Sequence, residues 1–414
     1  MSCEITAGGV RVRSQDWPSA AISANRATSK HCPGGVRLVM KLLFIMFAIF
    51  GAVPCHAQSA LSPSLSVKSN SQPLSLAEMR QLVAAASRHG APWDGPVTGP
   101  AGEAGKRIAI ISEDLRNGGI LGVAQGVEEA ASVMQWTVRI FDAGGTPAGR
   151  SKEIANAAAW RPDGVALIGS DATELGNELA RFSRLGIPVV GWHVTRHAGA
   201  LAAGPVAVNV SSDPLEVARI TAMAAVVSAN GRAGVVIFTD SNFEIALTKS
   251  NEMIDVIRAC ATCQLLEVRD VAISRSAAIM PGMTDDLLAR YGARWTHALA
   301  INDIYFDYAV PQLTKAGLAS NAVNLMSAGD GSTAAFLRIR ARTFQTGTVA
   351  EPLNLHGWQL VDELNRLLAG WPVSGYVVPV HLVSAENIGF DGGPQFRYDP
   401  DNGYRDIYKK IWKR

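Results

Sequence analysis

The chain has 414 residues, 38 Lys or Arg against 36 Asp or Glu, and a formal net charge of +2. That near balance leaves no basic stripe of the kind that tracks a phosphate backbone, which argues against a nucleic-acid partner. Five cysteines are too few for a disulfide-built scaffold. The length suits two domains that each bury a core of their own.

Residues 37–57 carry a basic start and an apolar run from Leu42 to Val53, and end Cys55-His56-Ala57. This is the layout of a cleaved secretory signal, and the run is too short for a comfortable membrane span. Residues 1–39 show no sustained periodicity, so Met40 is the expected start, with the signal at 40–57 and the mature chain in the periplasm. An uncleaved anchor is the alternative. Removing residues 1–57 takes away six basic and two acidic groups. The counts become 32 and 34 and the net charge −2. Two cysteines then remain, Cys260 and Cys263, spaced C-x-x-C after a helical stretch at 252–259. An oxidising compartment makes a local disulfide the expectation, stabilising by about 2 kcal/mol in the chain-entropy account. A redox dithiol would want the pair at the start of a helix, and zinc would want two further ligands.

Residues 58–72 are rich in Ser and Pro and read as a tether. Helical spacing of Leu76, Met79, Val83 and Ala86 predicts a short helix, and 91–105 reads as a linker whose Trp93 packs on the first lobe. From there strand and helix alternate. Apolar runs at 107–111, 137–141, 164–168, 188–192 and 206–210 predict the strands of one parallel sheet. Runs at 233–238, 265–271, 297–301 and 324–327 predict those of a second. The fold class is therefore α/β, with two flavodoxin- or Rossmann-like lobes. The chain is expected to cross between them near 208–213, 348–352 and 377–383. The lobes are then 106–210 with 352–377, and 211–351 with 378–414. The basic tail at 404–414 reads as a short solvated helix.

Several motifs recur along this pattern: Asp114-Leu115-Arg116-Asn117-Gly118, Gly126-Val127-Glu128-Glu129-Ala130, Pro162-Asp163-Gly164, Gly186-Ile187-Pro188, Ile301-Asn302-Asp303, Ala328-Gly329-Asp330-Gly331 and Thr348-Val349-Ala350-Glu351-Pro352. In this order and spacing the chain resembles the sugar-type, type I periplasmic solute-binding proteins of ABC importers. The resemblance implies lobes joined by a three-crossing hinge, with a ligand cleft at the carboxyl ends of the strands. It implies a monomer that delivers a small polar, hydroxylated solute to an ABC importer permease. No stable membrane insertion, metal or cofactor is expected. The ligand set it implies is Asn117, Asp171, Trp192, His193, Lys249, Asn302, Asp330 and Glu351. Carboxylates accept hydroxyl hydrogen bonds, and an Asn amide both donates and accepts.

Each position has a second reading. Asn117 suits a turn, Asn302 and Asp303 suit a helix cap, Asp330-Gly331 suits a tight turn, and Trp192 suits a strand-end core. The chain also departs from the family. Gly119 and Ile120 stand where stacking Phe residues are frequent, and His193-Val194 stands where an Asp-Arg pair often follows the fourth strand. Lys249 replaces a common arginine and so loses its planar fork. Glu351 stands in the place of a hinge glutamine. His193 and His197 lack the Cys or carboxylate neighbours that a metal site would need. Two other classes share these features: a ligand-sensing partner of a chemoreceptor or histidine kinase and, more distantly, a secreted enzyme. Against the enzyme, no G-x-S-x-G, H-E-x-x-H or phosphate-loop motif is present.

Overall fold

The computed structural model describes residues 73–414. The leader, signal and tether expected over 1–72 lie outside them. Helix α1 (Leu76–Ala86) opens with a capping box between Ser75 and Glu78.

The first lobe then alternates β1 (Arg107–Ser112), α2 (Gly118–Met134), β2 (Thr137–Asp142), α3 (Pro147–Ala159), β3 (Gly164–Ile168), α4 (Gly176–Arg184), β4 (Val189–Trp192), β5 (Gly199–Ala200) and β6 (Val208–Val210). The second lobe continues with α5 (Pro214–Ser228), β7 (Gly234–Thr239), α6 (Glu244–Ala259), β8 (Gln264–Asp270), α7 (Ser276–Tyr291), β9 (His297–Ala300), α8 (Ile304–Lys315), β10 (Asn324–Ser327), α9 (Thr333–Ala341) and β11 (Gln345–Ala350). The chain returns to the first lobe as α10 (Leu353–Leu368), adds β12 (His381–Ser384) and α11 (Ile388–Asp391) to the second, and closes with α12 (Tyr404–Trp412).

Each lobe holds a six-stranded sheet, ordered β2-β1-β3-β4-β6-β5 and β12-β11-β10-β9-β7-β8. All pairings are parallel except β5 with β6 and β11 with β12. Strands β3 and β7 are buried along their whole length, which is why the sequence shows unbroken apolar runs there. Helix ends follow local chemistry. Thr146 and Asp213 cap α3 and α5, each just ahead of a proline in the first turn. Helices α2 and α10 cross with their backbones in contact, because a Cβ on Gly126 would overlap the backbone at Asn354 and a Cβ on Gly357 the backbone at Gly126.

Between the elements of the two sheets the chain runs through 211–213, 351–352 and 369–380. Two further spans accompany them. Helix α1 sits on the second lobe, where Met79 joins the core with Val217 and Met223. Residues 91–105 then run over the first lobe, with Arg366 donating to the Thr98 carbonyl and Asn365 to the Pro100 carbonyl. Trp93 packs there against Tyr376 and Tyr408.

The tail differs from its sequence assignment. Residues 381–391 do belong to the second lobe, but α12 lies on the first. There Trp412 stacks on Trp358 at 5.4 Å and donates to Asp362. Its basic residues hide a buried face of Tyr404, Tyr408, Ile411 and Trp412, so it is a core helix and not a solvated end. Cys260 and Cys263 are joined in a disulfide just after α6.

Candidate functional site

The loops at the carboxyl ends of β1, β4, β7, β9 and β10 converge between the lobes, the position where open α/β sheets take ligands. They line an open cavity of about 60 Å³. Asn117, Trp192 and His193 line it from the first lobe, and Lys249, Asn302 and Asp330 from the second.

In the second lobe the loop after β10 is fixed by a buried carboxylate. Asp303 accepts from the Gly331 and Ser332 backbone N–H groups at 2.7 and 3.0 Å, and also bonds Ser327 and Gln345. This anchored loop presents Asp330, whose Oδ2 accepts from Asn302 Nδ2 at 2.7 Å. Asn302 also plays the capping part, its Oδ1 accepting from Ile304 N at 3.0 Å. Burial raises the Asp330 carboxyl above its ordinary range, and the charges of His193 and Lys249 oppose that rise. Lys249, 3% exposed, donates to the Ala328 carbonyl at 2.8 Å. No carboxylate stands within ion-pair distance of it among the described residues, so its remaining N–H donors are free to face the cavity.

On the first lobe Asn117 caps α2, accepting from Gly119 N at 3.0 Å and keeping its amide N–H group for other partners. Trp192 is core and site wall together. It is 1% exposed, its indole N–H donates to His356 Nδ1 at 3.0 Å, and His193 stacks on its face at 3.7 Å. His193 holds the left-handed φ of 54°, a conformation with a cost for a non-glycine residue. The payoff is position: its ring reaches Asp330 Oδ1 at 3.8 Å and Glu351 Oε1 at 3.3 Å.

Glu351 sits at the second crossing and ties the hinge together. Its other oxygen accepts from Ser212 N of the first crossing at 3.1 Å and lies 3.5 Å from His356 Nδ1. Burial alone would raise the Glu351 carboxyl, but His193, His356 and Lys249 hold it well below the usual carboxylate range. Burial pushes His356 down to about 4. Its Nδ1 already accepts the Trp192 N–H, which requires the neutral ring with its proton on Nε2.

Six of the eight expected ligand residues therefore meet at one cavity. Glu351 lies behind it as a hinge residue. Asp171 does not line it either. Its oxygens accept from Thr173 N and, across the cleft, from Glu244 N at the start of α6, so it latches the lobes. Arg196 adds a second latch to Glu244 at 3.5 Å. Glu113, Phe243, Ile245 and Ile273 also line the cavity and were not anticipated. Their signal was positional, since each follows closely on the end of β1, β7 or β8. Glu113 is buried with Ser170 donating to it at 2.7 Å and Arg150 3.7 Å away, and burial raises its carboxyl. Phe243 brings an aromatic ring from the second lobe, where the first-lobe loop has Gly119 and Ile120. Among the described residues no group of three or more His, Cys, Asp or Glu is arranged to hold a metal ion. None of their helices is long and apolar enough to cross a membrane.

Solved structures share this architecture. An ABC transporter solute-binding protein from Agrobacterium vitis with bound allitol superposes with a TM-score of 0.59 at 19% identity, covering 69% of this chain and 97% of its own. A second from the same organism, bound with α-D-tagatopyranose, gives 0.62 at 15% identity over 71% and 99%. The Caulobacter myo-inositol binding protein gives 0.59 at 17% identity over 70% and 96%. No curated protein matches the sequence. The family model for the periplasmic binding protein domain matches residues 108–371, which takes in the strands from β1 to β11 and α10 but not β12. With the two-lobed fold of the sugar-type ABC transporter solute-binding proteins, this chain belongs to the periplasmic binding protein family.

Proposed function

We propose that the protein binds a small polar, hydroxylated, sugar-like solute between its lobes in the periplasm and hands it to an ABC importer permease, cleft closure being the signal. The observation that carries this reading is the convergence of Asn117 and His193 from one lobe with Lys249, Asn302 and Asp330 from the other on a single cavity beside the hinge. These groups offer donors and acceptors of both kinds, which is what replacing water around several hydroxyls demands. Structural neighbours solved with allitol, tagatopyranose and myo-inositol support the same solute class. The cavity of about 60 Å³ is under half of the roughly 150 Å³ that accommodates a benzene ring. In this reading the latches at Asp171 and Arg196 part to admit a sugar, and the lobes close around it less tightly than they do here. In this reading the protein acts as a monomer and as a carrier, not a catalyst, with Glu351 in the hinge and the Cys260–Cys263 disulfide structural.

The test is a thermal-shift screen of the purified protein against sugars, polyols, sugar acids and amino acids, followed by calorimetry on each hit. A ligand at a thousand times its Kd stabilises the native state by about 4 kcal/mol, a shift of several degrees. Asp330→Asn and Asn302→Ala should each raise Kd at least tenfold. A blank across the hydroxylated solutes, with folded protein, would sink the proposal.

A further inference from the structure

Several polar residues of the cleft gather around Asp330. Asn302 and His193 both reach Asp330, at 2.7 and 3.8 Å, and Lys249 lies beside Gly329. Another part of the lining, from the start of α6 and just past the ends of β8 and β9, is hydrocarbon: Phe243, Ile245, Ala246, Ile273 and Ile301. Ile120 adds an apolar side chain to the lining from the first lobe. Phe243, Ile245 and Ile273 are only half-buried, although each stands in a loop or first turn where a polar residue would cost nothing. The other carboxylate of the lining, Glu113, is already engaged by Ser170 and Arg150.

We propose that the solute is amphiphilic. Resting on the reading above, it carries a hydroxylated end for Asp330, Asn302 and Lys249, and a hydrocarbon portion without hydroxyls that seats against Phe243, Ile245 and Ile273. A deoxy, alkyl or alkylthio substituent would supply that portion. A hydroxyl pressed against this wall would lose its water partners and find no replacement, a penalty of about tenfold or more in affinity. A methyl or methylene placed there gains about fourfold per buried carbon.

Matched pairs test this directly by calorimetry: D-galactose with 6-deoxy-D-galactose, L-mannose with 6-deoxy-L-mannose, and D-ribose with 5-deoxy-D-ribose and its 5-S-methyl analogue. In the pair that binds best, the deoxy or alkylated member should be at least tenfold tighter. Ile245→Ser and Ile273→Thr should each shrink that preference severalfold, while Ile245→Val, which keeps the surface apolar, should preserve most of it. Equal or tighter binding of the fully hydroxylated member to the unmutated protein overturns the inference and leaves the carrier reading standing. Absence of binding by every member of every pair and by all other hydroxylated solutes overturns both.

Discussion

Asp330 of the second lobe rests directly on Gly119 of the first, so that a Cβ built on Gly119 would overlap the Asp330 carboxylate. The absence of a side chain at 119 is thus a condition for closure and not merely a missing aromatic. Gly119 lies in the first turn of α2 without a positive φ, so alanine suits the backbone there and gains up to about 1 kcal/mol of helix propensity. Gly119→Ala should leave the melting temperature of ligand-free protein unchanged or slightly raised, yet weaken solute binding tenfold or more. Small-angle scattering should show the variant failing to compact with ligand. A Kd within twofold of the parent would remove Gly119 from the closure argument.

Glu351 joins three parts of the hinge region through Ser212, His193 and His356. Removing it leaves the buried Ser212 N–H and the buried His193 ring without their acceptor. Breaking such a buried pair costs about 3–5 kcal/mol, which is the loss expected for Glu351→Ala in urea denaturation. Glu351→Gln keeps one acceptor for Ser212 N and should lose less. Because its folded carboxyl titrates below the unfolded one, Glu351 stabilises above the unfolded pKa, and that stability disappears as the pH falls through the folded value.

Two buried histidines set a second acid limb. His297, at the start of β9 between Ser228 and Thr296, and His356 are both pushed down to about 4 by burial. Between pH 6.5 and 4 the unfolded chain binds their protons and the folded chain does not, so stability falls with acidification across that window. Each contributes a slope of about 1.4 kcal/mol per pH unit. Buried carboxyls with raised pKa, Asp330 and Glu113 among them, act in the opposite sense below their folded values. The difference between parent and His297→Gln isolates the histidine: the variant's unfolding free energy should lose one proton's worth of slope between pH 6 and 4.5. Parallel curves would mean that His297 is not buried in its neutral form.

The strands were legible because buried parallel strands leave unbroken apolar runs, and β3, β9 and β10 lie within a residue of where those runs predict them. The loops after them carried the site motifs, so Asn117, Asn302 and Asp330 could be placed. Tertiary partners could not be read in the same way. Asp171 has the chemistry of a ligand residue, but only the folded chain shows the Glu244 N–H across the cleft that occupies it. Phe243 stands four residues past the end of β7 among polar residues, with no periodicity to mark it. The tail misled for a related reason. Lys409, Lys410, Lys413 and Arg414 dominate its composition, whereas its fold is decided by Tyr404, Tyr408 and Trp412 on the other face.

That face makes a last prediction. Trp412 fills the first-lobe core between Trp358 and Tyr408, with ring centroids 5.4 Å from each, and its N–H donates to Asp362 Oδ1 at 2.8 Å. Burial raises the Asp362 carboxyl, and the bonds from Arg366 and Trp412 oppose the rise. Trp412→Ala removes the ring and one of those donors, and a Trp-to-Ala cavity costs about 3–5 kcal/mol. Trp412→Phe keeps the stacking surface and should lose only the hydrogen bond to a charged group, about 1.5–3 kcal/mol. No side chain of α12 lines the cleft, so solute affinity should stay within about threefold at temperatures where the variants remain folded. Urea titration with calorimetry at 20 °C reads both quantities. Unchanged stability in Trp412→Ala would mean that α12 is a detachable end after all, while a large loss of affinity in a folded variant would tie the tail to hinge motion.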